Sequence, residues 1–203
     1  MFDYFIFESF FGNTDPGNIR YYRNAKSGDG KWRYLFYDLD WGLFNSTYTE
    51  KKVEYATGAV TYYMNESGAG AQKIKANLFL RKLVEVPRYR DQFLTRYAEL
   101  FNTVLTTENM EKHFFAMIEQ IQPEMKMHME RWAAEMPKQV SFDQPKNPTG
   151  AYSYWQTRNE RAIRVFNRRP HFVWKDIQSY FKLSDEEMIG YFGPCPVVPD
   201  QYK

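Results

Sequence analysis

The feature that most constrains the fold is the stretch from residue 12 to residue 44, where two short extended runs flank a glycine-rich connection. The runs are Ile19 to Asn24 and Lys31 to Tyr37, and the connection contains Gly28-Asp29-Gly30. Glycine and aspartate at such a connection favour a β-hairpin because tight hairpin turns need residues that tolerate positive φ. The stretch therefore predicts two antiparallel strands.

Acidic and amide side chains lie on both sides of the predicted hairpin. Asp15 and Asn18 precede the first strand, and Asp38 and Asp40 follow the second. Antiparallel pairing returns the chain towards its start, so we expect these four residues to approach one another, with positions 38 and 40 on one face of the strand. Carboxylate and amide oxygens are the ligands that a hard cation such as Mg²⁺ prefers. The sequence therefore predicts an oxygen-ligand site at one end of the hairpin.

The rigidity of this site would come from the second strand. We expect that strand to pack through Leu35, Tyr37 and Leu39, because a metal ligand needs a firmly held backbone. A simpler interpretation of the flanking residues is structural. Asp15-Pro16-Gly17-Asn18 is an acceptable turn, and Asp38 is a suitable cap for a following element. Short motifs often match by chance, so the residues alone leave both interpretations open.

The order of these residues resembles that of protein kinases, in which an Asp, an Asn, a hairpin and an Asp-aromatic-Gly segment follow one another. The stretch is most similar to the spore-coat CotH kinase family of atypical kinases. The matching segments are Gly12-Asn13-Thr14-Asp15, Asn18 and Tyr37-Asp38-Leu39-Asp40-Trp41-Gly42. Two features differ from an ordinary kinase loop: Asn18 follows Asp15 by three positions rather than five, and no His-Arg pair precedes Asp15.

The resemblance implies a role for each candidate residue. Asp15 is the candidate catalytic base, and Asn18, Asp38 and Asp40 are candidate ligands of Mg²⁺ or Mn²⁺. Asn18 and Asp40 are also the candidate contacts to the cofactor ATP. The choice between Asp38 and Asp40 as the principal metal ligand stays open.

The activity implied by the resemblance is ATP-dependent phosphoryl transfer to protein hydroxyls. The expected partner is a protein substrate on the spore coat or cell surface, and the implied location is the spore coat or the extracellular space. The alternative function is a non-catalytic scaffolding or binding module whose aromatic surface holds protein or carbohydrate. Aromatic residues make up 19% of the chain, and this high aromatic content supports the alternative.

The first eleven residues are apolar almost all round. They predict a helix that needs cover on most sides and ends at Gly12. We expect the chain to be a fragment of a longer protein, with a preceding segment that packs on this helix. Neither a Gly-rich phosphate loop nor a Val-Ala-x-Lys strand is present, so we expect little or no transferase activity from the chain alone.

From Ile74 onwards, apolar residues recur at three- and four-residue spacing, which predicts helices. The sequence predicts a helix broken at Val86-Pro87 and a second over Arg88 to Val104. A third starts at Glu108, is capped by Thr106 or Thr107, and ends or is kinked at Pro123. Three more are predicted: one over Ala151 to Phe166, one from Arg169-Pro170 to Phe181, and a short last helix capped by Ser184. Residues 137–150 are expected to form a loop, and residues 191–203 an extended tail.

These elements predict an α+β fold: a protein-kinase-like C-lobe, mostly α-helical, with a small antiparallel hairpin that carries the site. We expect residues 1–203 to form one domain. The chain has 27 basic and 25 acidic residues, so a nucleic-acid partner is not expected. We interpret the arginines between positions 158 and 169 as a solvated helix face. No apolar run reaches membrane-spanning length, and the single cysteine excludes an internal disulfide framework.

Overall fold

The computed structural model describes residues 1–13, 19–26, 28–37, 39, 42, 60, 64, 71–135 and 147–203, with only the backbone for 71–77. In chain order its elements are α1 (Phe2–Phe11), β1 (Arg20–Tyr22), β2 (Arg33–Leu35), α2 (Ala71–Val84), α3 (Pro87–Thr103), α4 (Thr107–Trp132), α5 (Pro148–Phe181), α6 (Asp185–Phe192) and a 3₁₀ turn (Asp200–Tyr202). The described part is mostly helical with one small sheet, which confirms the α+β class. Across these ranges, no helix combines the length and apolar character needed to cross a bilayer.

The predicted hairpin is present. Strands β1 and β2 pair antiparallel, with Tyr21 opposite Tyr34. The hairpin packs on α1 through aromatic rings: the Tyr34 ring stacks on the Tyr4 ring at a centroid distance of 4.8 Å, and Phe36 meets Phe7 edge-on at 5.4 Å. The expected packing through Leu35 is wrong: that side chain is 44% exposed and lies on the opposite face of the strand from Tyr34, which packs against the core. The hairpin packs on α1 through the strand face that carries Tyr34 and Phe36, because their rings can stack on or meet the rings of α1 edge-on.

Helix α1 lies in the core. Phe5, Ile6 and Phe10 are almost completely buried, and the Phe10 ring contacts the Phe101 ring of α3 at a centroid distance of 6.4 Å. Each buried large apolar side chain contributes about 1.5–3 kcal/mol relative to an exposed one. Rings of α3 and of the hairpin pack on α1, and Arg169 of α5 binds its last carbonyls.

Helix α5 is continuous, so the predicted break at Arg169-Pro170 is wrong. A proline inside a helix lacks the N–H that would donate to the carbonyl four residues earlier, here that of Phe166. The hydroxyl of Thr107, at the start of α4, donates to the Phe166 carbonyl oxygen at 3.0 Å instead. The neighbouring helix thus supplies the missing donor. Sequence periodicity carries no sign of such a contact.

Most helix ends agree with the sequence. Pro87 begins α3, the Thr106 hydroxyl accepts from the Asn109 backbone N–H at the start of α4, and Ser184 forms a capping box with Glu187. Helix α4 runs on through Pro123, so no new helix begins there.

Two segment boundaries differ from the expected ones. Residues 136–146, most of the predicted loop, lie outside the described residues, and α5 begins already at Pro148 with Asn147 as its cap. Helix α6 continues to Phe192, so the extended tail begins at Gly193. The tail lies along α5, where the Trp174 indole N–H donates to the Gly193 carbonyl at 3.1 Å.

A buried arginine joins α5 to the end of α1. Arg169 is 1% exposed, which contradicts its placement on a solvated helix face. Its Nε donates to the Phe10 carbonyl oxygen at 2.6 Å, and a terminal guanidinium nitrogen donates to that of Ser9 at 2.8 Å. The last carbonyls of a helix lack intrahelical donors and carry partial negative charge, so a cation with several N–H groups suits this position.

Replacing Arg169 by Met should lower the free energy of unfolding by about 3 kcal/mol, because two buried carbonyls lose charged donors. Urea unfolding followed by circular dichroism would measure the change. The control is Arg131→Met, which removes a side chain that is 61% exposed and pairs with Glu135. That change should stay within about 0.5 kcal/mol. Equal effects of the two substitutions would contradict the structural role given to Arg169.

Candidate functional site

The candidate site begins where α1 ends. Gly12 has a φ of 61°, the left-handed conformation that glycine adopts without steric cost. The Gly12 N–H donates to the Ser9 carbonyl at 3.3 Å, and the Asn13 N–H donates to the Glu8 carbonyl at 3.1 Å. These two bonds form a Schellman motif, which satisfies carbonyls at the helix end and turns the chain sharply. The first residues of the Gly-Asn-Thr-Asp segment are therefore rigidly placed.

A buried polar cluster adjoins this turn. The side-chain amide of Asn13 donates to a carboxylate oxygen of Glu8 at 2.8 Å, and the two residues are 2% and 1% exposed. The Tyr4 hydroxyl also hydrogen-bonds to Glu8. Burial and the neighbouring Glu8 carboxylate raise the pKa of Tyr4 above its ordinary value, so the phenol stays protonated and can donate. Glu8 thus has a donor on each of two neighbouring elements, the helix and the turn.

The segment after β2 returns to the same place. The Gly42 N–H donates to the Leu39 carbonyl at 2.8 Å, and Gly42 is buried. A Cβ at position 42 would lie 2.9 Å from the Leu39 carbonyl oxygen and 3.4 Å from that of Phe11. The 2.9 Å distance is a collision, so the turn from Leu39 to Gly42 requires a glycine, and the distance to Phe11 shows that this turn lies against the end of α1. The Asp-aromatic-Gly segment therefore ends against the residue that precedes Gly12.

The four predicted site residues, Asp15, Asn18, Asp38 and Asp40, lie outside the described residues. Their convergence therefore stays a prediction. What the structure shows is that the chain on either side of them comes together. The contact between Gly42 and Phe11 brings the end of one motif segment to the start of the other.

The metal ligands stay a prediction for the same reason. Within the described ranges, no three or more His, Cys, Asp or Glu side chains are grouped so as to hold a metal ion. Asn18, Asp38 and Asp40 supply oxygen donors alone. That donor set fits Mg²⁺ or Mn²⁺ and does not suit a soft metal.

Comparison with known proteins bears on the whole region. A protein-family model described as CotH kinase protein matches residues 1–173 of the 203-residue chain. The chain belongs to the CotH kinase family. Neither the curated proteins nor the solved structures contain a match. The family match confirms the resemblance expected from the motif residues, and it covers α1, the hairpin and most of α5.

The sequence analysis missed two residues that hold the backbone next to the candidate site: Glu8 and Arg169. Arg169 does carry a signal, because it falls on the apolar stripe of α5, between Phe166 and Val173 at helical spacing. A charged residue on a buried stripe predicts a buried partner. Glu8 carries a weaker signal, as an isolated acid within an apolar helix.

Substituting Gly42 by Ala should lower the free energy of unfolding by about 1–3 kcal/mol, because the new methyl group collides with backbone atoms that cannot move aside easily. The control is Gly190→Ala in α6, where a Cβ would meet nothing within 4 Å. Alanine is the better helix former, so this change should stabilise the chain by up to about 1 kcal/mol. Urea unfolding of both variants gives the comparison, and a neutral Gly42→Ala would contradict the tight turn from Leu39 to Gly42.

Proposed function

We propose that this chain carries the catalytic site of a CotH-type protein kinase and is arranged like the helix-rich C-lobe of a kinase. The proposed reaction is transfer of a phosphoryl group from ATP to a protein hydroxyl. The observation that carries the proposal is the approach of Gly42 to Phe11, because it joins the two halves of a kinase-like motif. Membership of the CotH kinase family supports the same function.

Asp15 is the proposed base. It would accept, or orient, the proton of the acceptor hydroxyl on a protein substrate. Asp15 follows the rigid turn at Gly12 and Asn13 by two residues. A base that is positioned before the substrate arrives makes the main contribution expected of kinase residues in phosphoryl transfer.

Asn18, Asp38 and Asp40 are the proposed ligands of Mg²⁺, and Asn18 and Asp40 the proposed contacts to ATP through that ion. When bound, the ion would neutralise charge on the phosphate oxygens. Asp38 and Asp40 flank Leu39, whose carbonyl accepts from the Gly42 N–H. A ligand beside this anchored backbone keeps its position better than one in an unattached loop.

In the active full-length protein, Asp15→Asn should leave nucleotide affinity nearly unchanged and lower turnover by about 10²–10⁴-fold, because only the proton-accepting group is lost. Asp40→Asn should weaken both nucleotide binding and turnover. Nucleotide affinity and turnover would be measured side by side for each variant. A fully active Asp15→Asn variant would show that Asp15-Pro16-Gly17-Asn18 is only a turn.

Metal binding gives a separate test. Mn²⁺ should bind weakly alone and more tightly with a non-hydrolysable ATP analogue, because such ions rely on phosphate oxygens as well as protein ligands. Asp38→Asn and Asp40→Asn should both weaken binding measured by electron paramagnetic resonance. Asp29→Asn is the matched control, since Asp29 is an exposed acid at the hairpin tip that pairs with Arg33. Unchanged Mn²⁺ affinity in both site variants, in a protein that binds nucleotide, would remove these residues from the site.

A further inference from the structure

We infer that Asn13 is a positioning residue: its contact with Glu8 holds in place the chain segment that carries Asp15. The inference rests on the proposed function for its catalytic consequence. The contact between Asn13 and Glu8 from which it is argued lies within the described residues. Neither residue is placed among the groups that touch substrate or metal.

The two residues are joined by two hydrogen bonds. The backbone N–H of Asn13 donates to the Glu8 carbonyl, and its side-chain amide donates to the Glu8 carboxylate. The first bond belongs to the helix stop and needs no particular side chain. The second is additional, and it fixes the orientation of the residue about its own backbone. Because both partners are almost fully buried, water does not compete for this bond.

The Glu8 side chain, which accepts from Asn13, is itself held by several neighbours. Glu8 lies on α1, whose last carbonyls are bound by the buried guanidinium of Arg169. The Tyr4 hydroxyl bonds to the Glu8 carboxylate from the preceding turn of the helix. Ser9, the next residue, lies 3.4 Å from the Tyr97 hydroxyl of α3. The Glu8 carboxylate is therefore a fixed point of the core rather than a mobile surface group.

Asp15 follows Asn13 by two residues, so their Cα atoms are separated by at most about 7 Å. A shift of the backbone at Asn13 would therefore act close to Asp15. A displacement of about 1 Å at a catalytic group can cost about 10²-fold in rate. The contact between Asn13 and Glu8 is therefore close enough to affect the position of Asp15, the proposed base.

The chain offers a matched control for the loss of an Asn–Glu contact. The Asn167 side-chain amide donates to a Glu111 carboxylate oxygen at 2.6 Å, between α5 and α4. Neither residue belongs to the candidate site. If Asn13 contributes to stability alone, removing either asparagine should have the same kind of effect.

The test compares Asn13→Ala, Glu8→Gln and Asn167→Ala with the wild-type full-length protein. Hydrogen exchange measured by mass spectrometry on peptides spanning residues 9–19 reports on the segment without any need for activity. Steady-state kinetics report kcat and KM separately. Thermal unfolding reports on global stability. Exchange and kinetics are measured well below the lowest melting temperature of the set.

We expect Asn13→Ala to speed exchange in the 9–19 peptides and to lower kcat by about 10-fold or more, with little change in KM for ATP. Glu8→Gln should retain near wild-type exchange and kcat, because the glutamine carbonyl oxygen still accepts from the Asn13 amide. Asn167→Ala should lower the melting temperature without changing kcat or exchange at residues 9–19.

Unchanged exchange in Asn13→Ala would overturn the inference, and so would faster exchange with an unchanged kcat in an active protein. A loss of kcat in Asn167→Ala equal to that in Asn13→Ala would also overturn it, because the effect would then follow stability alone. If the wild-type full-length protein shows no transferase activity, the proposed kinase function fails. The exchange results of the three variants then still decide whether Asn13 holds the segment.

Discussion

The structure depends on the hydrogen bonds that Arg169 donates to the carbonyls at the end of α1. A helix end buried in a core exposes carbonyls that cannot reach water, and leaving them without donors costs free energy. The guanidinium meets this need from α5, where Arg169 lies 159 residues beyond Phe10 in the chain. Gly12 ends α1 at this point, and Arg169 binds the last carbonyls just before the turn to Asn13.

Helix α1 is central because it packs on different partners along its sides. Phe10 packs on Phe101 of α3, while Tyr4 and Phe7 receive Tyr34 and Phe36 of the hairpin. Edge-to-face and stacked rings fix relative orientation as well as burying area. The two arms of the hairpin therefore begin and end beside the helix that supplies the Gly-Asn-Thr-Asp segment. The frame of the candidate site is an aromatic one, and the polar contacts of Glu8 lie at its edge.

The candidate site combines what the structure and the family each contribute. The structure places the flanks of both motif segments together through Phe11, Gly42 and Asn13. Family membership covers the same residues and connects them with kinase function. The proposed roles of Asp15, Asn18, Asp38 and Asp40 come from their chemistry and from the family motif. Asn13 adds a residue with a proposed positioning role: its contact with Glu8 links the core to the segment that carries Asp15.

The sequence by itself determined the local elements: the hairpin, the glycine stop after α1, the Pro87 start of α3, the Ser184 cap and a cap at Thr106 or Thr107. These depend on interactions within a few residues, which composition and spacing reveal. Only the tertiary structure decided that α5 runs through Pro170, that Arg169 is buried and that the hairpin packs through Tyr34. Each of these depends on a group distant in sequence: the Thr107 hydroxyl, the carbonyls of Ser9 and Phe10, and the Tyr4 ring. Local periodicity does not identify a distant partner, so only the folded chain shows which groups meet.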